Sequence, residues 1–164
     1  MTFFKRISFL IIIFFVFISC KQNCFDALER DIKELKPQEL INFHRDYSCI
    51  KWDYLVIVPP YCSEKEITLN FDNKIKSYKI EANNGDTSYL IYFLDSEKVF
   101  HKIKISRQVI DFYSLIKTNP RKNHEGIFLL KSEECIFKKY DTGQKFSKTN
   151  EKVYSFELIN KISS

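Results

Sequence analysis

The chain predicts an α+β fold: an antiparallel or mixed sheet of about five to seven strands, with one or two short helices on one face. Three observations lead there. Apolar runs of strand length recur along the chain, and several alternate cleanly between apolar and polar residues. Only two segments combine a capping-box spacing with a helical apolar stripe. The strands follow one another with few helices between them, which suits a sheet covered by helices on one side.

The first segment is not part of that fold. Lys5 and Arg6 make a basic start, and Ile7 to Ile18 is an apolar run broken only by Ser8. An export signal needs about 7–15 apolar residues, and a membrane-spanning helix about 20. The run suits the first, and Lys21-Gln22-Asn23 stops its extension. Phe17-Ile18-Ser19-Cys20 resembles the lipobox of bacterial lipoproteins, with Phe17 where that family usually has Leu. The resemblance implies cleavage between Ser19 and Cys20, and transfer of a diacylglycerol group to the Cys20 thiol. It also implies at least two acyl chains, as stable anchoring requires. On this reading residues 1–19 are a signal peptide, 20–26 a short lipidated tether, and 27–164 a single domain. The domain lies in the bacterial cell envelope, outside the cytoplasm, and its first partner is the membrane.

Residues 20–164 number 145, a length that suits one domain with one sizeable core. Loss of Lys5 and Arg6 leaves 24 basic against 21 acidic residues, a net charge of +3. So mild a bias excludes a nucleic-acid footprint, and the lysines are scattered among acids as on a solvated surface. Beyond Cys20 stand Cys24, Cys49, Cys62 and Cys135. An exported chain meets an oxidising compartment, where disulfides persist. Four cysteines permit three pairings. Cys49 and Cys62 flank the expected strand Lys51–Val58, which holds them roughly 20 Å or more apart. A disulfide needs Cα atoms within about 7 Å, so these two are not expected to pair.

The elements follow in order. Asp26 and Glu29 have capping-box spacing, and Leu28, Ile32 and Leu35 share one helical face, so Ala27–Lys36 is expected as a helix ended by Pro37. Glu39–Ser48 suits helix and strand alike. Trp52, Tyr54, Val56 and Val58 share one strand face, with Leu55 and Ile57 on the other. A strand apolar on both faces is central in its sheet, and Pro59-Pro60 ends it. Ser63 and Glu66 form a second capping box, for a helix Glu64–Phe71. Ile75–Glu81 is expected as a strand. Asn83-Asn84-Gly85-Asp86 is a turn by composition. Tyr89–Leu94 is a second central strand, joined through Asp95-Ser96-Glu97 to a half-solvated partner over Val99–Ile105. Val109–Ile116 is apolar with mixed period. Thr118–Glu125 is a polar loop. Ile127–Lys131 and Cys135–Lys139 are strands, Asp141-Thr142-Gly143 begins a turn, and Tyr154–Leu158 is the last strand.

Sequence motifs for chemistry are absent. The sequence has no H-E-x-x-H, no C-x-x-C, no G-x-S-x-G and no phosphate-binding glycine loop. Cys49, Cys62, His44 and His124 are too dispersed to nominate a zinc site. No catalytic residue, metal or cofactor is therefore expected. Trp52-Asp53 and Pro60-Tyr61, set across an apolar strand, are similar to a segment of small bacterial envelope proteins, a likeness of about ten residues that brings no function with it. Trp52, Asp53 and Tyr61 are surface candidates on that basis, although a core aromatic and a strand-ending turn are the simpler explanation of them. His124, in a loop with Arg121, Lys122 and Glu125, is the exposed histidine candidate, and His101 falls on the apolar phase of its strand. The expected function is a lipid-anchored binding or structural module with an envelope protein as partner. An envelope immunity or inhibitor protein, and a small hydrolase without a recognisable motif, are the alternatives.

Overall fold

In a computed structural model of the chain, the described residues are 25–49, 51–63, 65, 80–85, 87–95, 99–119, 123–124 and 127–159. The leader, Ser19, Cys20, and most of the segments expected as a helix over 64–71 and a strand over 75–81 lie outside them. The fold is α+β, and its strands form two antiparallel sheets rather than one.

Helix α1 (Leu28–Glu34) buries Leu28 and Ile32, the stripe expected of it. It begins without a side-chain cap, so the Asp26–Glu29 box is not used. The helix leaves the α region at Leu35, two residues before Pro37. Phe25, at the end of the expected tether, is already core: it stacks on His101 at 4.6 Å and packs against Phe93 at 4.4 Å. The ambiguous stretch that follows is both things in turn, strand β1 (Leu40–Asn42) and helix α2 (Phe43–Asp46). Asn42 makes the switch. Its side chain accepts from Arg45 N at 3.1 Å, while its own N–H donates to the Asp46 carboxylate at 3.0 Å.

The larger sheet holds β2 (Tyr54–Val58), β3 (Ser88–Leu94), β4 (Val99–Ser106), β5 (Asn123–His124) and β6 (Ile127–Lys131). Its order is β4-β3-β2-β6-β5, with β3 and β2 interior as their two apolar faces require. The smaller sheet runs β1-β7-β8, with β7 (Ile136–Lys145) and β8 (Lys152–Leu158). The expected Asp141–Gly143 turn is instead a bulge inside β7: the register shifts there, and Gly143 has φ +74°. The chain reverses later, where Phe146 N donates to Glu151 O and Asn150 N to Phe146 O. Helix α3 (Tyr113–Thr118) resolves the mixed period of 109–116 and occupies the start of the expected polar loop.

Two apolar layers cover the larger sheet. Leu55, Ile57, Tyr89, Ile91 and Phe93 face the main core with α1, α2, α3 and the smaller sheet. Val56, Val58, Leu90, Tyr92 and Leu94 face a smaller cluster with Cys62 and Ile80. Each such large side chain contributes about 1.5–3 kcal/mol on burial. Cys49 is disulfide-bonded to a partner outside the described residues. Cys62 and Cys135 are buried thiols that donate to the carbonyls of Ser63 and Lys131. Cys49 and Cys62 are thus not joined to each other, as their places on either side of β2 require.

Candidate functional site

Trp52 is a core residue. It is 2% exposed, its indole N–H donates to Tyr47 O at 3.3 Å, and its ring meets Phe93 edge-on at 5.0 Å. The segment's first half is therefore packing rather than surface. Asp53 is half-buried and uses its backbone: its N–H donates to Leu94 O at 2.7 Å and its carbonyl accepts from Ser132 N at 2.8 Å. His124 belongs to the two-residue strand β5, paired with β6 at the sheet edge, and not to a loop. His101 is half-buried on Phe25; burial pulls its pKa below the ordinary histidine value, partly countered by the charge of Asp26.

Tyr61 differs from all of these. It is 71% exposed and sits at φ +62°, in the left-handed region that a bulky residue rarely adopts. The conformation costs about 1–2 kcal/mol relative to the right-handed one. The surroundings hold it there. The Asn83 side-chain amide is buried and donates to the carbonyls of Val58, Pro59 and Ser88, the last at 2.8 Å. Cys62 bridges Asn83, and Tyr61 N donates to Gly85 O at 3.3 Å. With Pro59 and Pro60 restricting the backbone, the corner after β2 has little freedom.

Tyr61 lines a surface groove of about 380 Å³ at one end of the larger sheet. Antiparallel pairing brings the end of β2, the start of β3 and the end of β4 to the same place, and α3 closes the side. Tyr113, the first residue of α3, is 62% exposed and supplies a second tyrosine ring. Arg107, just after β4, and Lys117, in the last turn of α3, supply positive charge.

Asp111 is the hub behind this wall. Its carboxylate accepts from the Tyr89 hydroxyl, from Tyr113 N at 3.0 Å and from an Arg107 Nη at 3.0 Å. Its backbone is tied to β8, through Asp111 N to Tyr154 O at 2.8 Å and the Ser155 hydroxyl to Asp111 O. Burial, followed by the hydrogen bond to Asp111, raises the Tyr89 hydroxyl far above the tyrosine range, so it stays protonated and donates. Burial pulls Arg107 down, but the hydrogen bond and charge of Asp111 outweigh it, and the guanidinium remains charged. The Arg107 Nε is buried and has no hydrogen-bond partner among the described residues. Lys117 is exposed and ion-pairs with none of them. The groove therefore joins two exposed aromatic rings to two cations, with Asp111 behind them committed to three donors.

Arg107 also lines a second groove of about 490 Å³, which runs on past Ser106 and Gln108 to the β7–β8 turn at Phe146–Thr149. The two concavities thus share Arg107 as a common border. Among the described residues, no group of three or more His, Cys, Asp or Glu side chains gathers to hold a metal ion. Tyr61, a surface candidate from the sequence, is exposed; Arg107, Tyr113 and Lys117 were not among the sequence's candidates. Nothing local marks those three, because they meet only when β4 and α3 close on the end of the sheet. The chain matches no known family model, no curated protein and no solved structure.

Proposed function

We propose that this protein is a binding module held at the bacterial cell envelope by a lipidated Cys20, and that it meets an envelope protein partner through the Tyr61–Tyr113 groove. The observation that carries the binding reading is the exposed Tyr61 ring. Strained residues persist only where their surroundings over-determine them, and they cluster at clamps and switches. Here the strain presents a large apolar ring to solvent, beside a second exposed tyrosine and two cations. Tyrosine and arginine are the residues on which binding energy concentrates in protein interfaces. The anchor rests on the leader and on Phe17-Ile18-Ser19-Cys20. Phe25 supports a close seat at the membrane, because the folded core begins five residues after Cys20.

Two measurements test the reading. Cells fed a fatty-acid probe should label the wild-type chain and leave Cys20→Ala unlabelled; label on the variant would remove the anchor from Cys20. Cross-linked capture of the full chain from detergent-solubilised membranes should recover a partner with the wild type and lose it with Tyr113→Ala. Equal recovery by both would place the partner elsewhere on the surface.

A further inference from the structure

Resting on the groove as a binding site, we infer that its ligand is an acidic peptide segment: a carboxylate flanked by apolar or aromatic side chains, lying in extended form across Arg107. The charge decides the first part. Arg107 and Lys117 line the same groove, and Asp111 offsets only one of them. Asp111 is also mostly covered, at 14% side-chain exposure, and its oxygens are engaged by Tyr89, Tyr113 and Arg107. What faces solvent is the 38% exposed guanidinium side chain of Arg107 and the ammonium of Lys117. A carboxylate taken up beside either cation gains charge-assisted hydrogen bonds, about twice as strong as neutral ones.

The lining decides the second part. A saccharide offers many hydroxyls, and these need short amide, hydroxyl or carboxylate partners. Among the described residues, the wall of the 380 Å³ groove offers no side-chain amide or carboxylate: its polar side chains are two cations and three tyrosines, of which Tyr89 already donates to Asp111, and the rest is proline and isoleucine. That surface suits aliphatic and aromatic peptide side chains on either side of one acid. Arg107 also borders the second groove, where Ser106, Gln108 and Thr149, beside the cation Lys148, offer hydrogen-bonding groups to the polar backbone of a chain that reaches past Arg107.

The test uses the full chain, labelled and in detergent, on arrays of N-acetylated hexapeptide amides in which each position is fixed in turn as Glu, Gln or Lys and the others are mixed. Pools with a fixed Glu should bind at least tenfold more strongly than their Gln counterparts, and Lys pools should not bind. Raising the salt from 50 to 500 mM should weaken the signal severalfold. Lys117→Glu and Tyr113→Ala change exposed side chains and leave the fold intact; each should reduce Glu-pool binding fivefold or more. Arg107→Gln should abolish it, and circular dichroism separates that loss from unfolding caused by releasing Asp111. Equal binding of Glu and Gln pools, or binding unchanged in Lys117→Glu, overturns the inference. So does binding of glucuronic-acid oligosaccharides in place of peptides. If membrane capture still depends on Tyr113 while no acidic pool binds, the groove stands as a binding site and the acidic peptide falls.

Discussion

Tyr61 is held in a backbone conformation that glycine would adopt without strain. Replacing it separates two effects that usually travel together. Tyr61→Gly removes about 1–2 kcal/mol of left-handed strain and adds about 0.5–1 kcal/mol of unfolded-state entropy. The variant should therefore be as stable as the wild type, or up to about 1.5 kcal/mol more stable, in urea denaturation. It should nonetheless lose partner capture, because the ring is gone. Tyr61→Ala keeps the strain and loses the ring, so it should match the glycine variant in capture and fall below it in stability. A glycine variant less stable than the alanine one would mean that the left-handed conformation carries no strain, and one clearly less stable than the wild type would mean that the ring is a packing group rather than a contact.

Among the elements, α1 depends on a contact with β7 more than on its own caps. It has no side-chain cap at its N-terminus and is only seven residues long, too short to persist alone. Lys139 of β7 reaches its other end. The side chain is buried, lies over the Tyr154 ring at 4.8 Å, and donates to the carbonyls of Ile32 at 2.9 Å and Lys33 at 3.3 Å. A cation at a helix C-terminus answers the partial negative charge of its last carbonyls. Burial pulls the Lys139 pKa down, with the charge of Glu39 acting against it, so the contact carries a desolvation cost as well as a gain. Lys139→Met keeps the length and the apolar stem but leaves those carbonyls unsatisfied. It should cost about 1–3 kcal/mol and speed hydrogen exchange over 28–34 before the rest of the molecule. Uniform loss of protection would show that α1 is not a separate unit. The helix face was legible in Leu28, Ile32 and Leu35; the lysine that caps the helix was not, because 107 residues separate Lys139 from Ile32.

For the whole molecule, acid should act in two stages. The folded pKa of His101 lies below 6.5, so at falling pH the unfolded chain takes up this proton first. Its contribution to stability is complete above about 6.5 and is lost progressively as the pH falls below that value toward the folded pKa. Asp141 titrates later. The hydrogen bond from Lys152, and then that from Gly143 N, hold its pKa below 3.8, so stability is lost as pH falls through that lower range. Thermal melts from pH 8 to pH 3 should show a first decline beginning near 6.5. In His101→Phe, which keeps an aromatic ring beside Phe25, the first decline should be absent and the second unchanged. A first decline that survives the substitution would assign it to another group.

Local pattern alone determined the α+β class, the interior places of β2 and β3, and the apolar face of α1. Each of these is written within a few consecutive residues: a two-residue alternation, a three-to-four-residue stripe, a contiguous apolar run. Tertiary structure decided that the strands divide between two sheets, that Trp52 is core while Tyr61 is surface, and that Asp141–Gly143 is a bulge within a strand. It alone brought Tyr61, Arg107, Tyr113 and Lys117 to one groove. The physical reason is that a groove is made by the ends of elements that pair across the sheet. Tyr61 and Lys117 are 56 residues apart in the chain and line the same wall. No local periodicity records which strand ends will meet, because that depends on strand order, and strand order is set by how the whole apolar surface is buried.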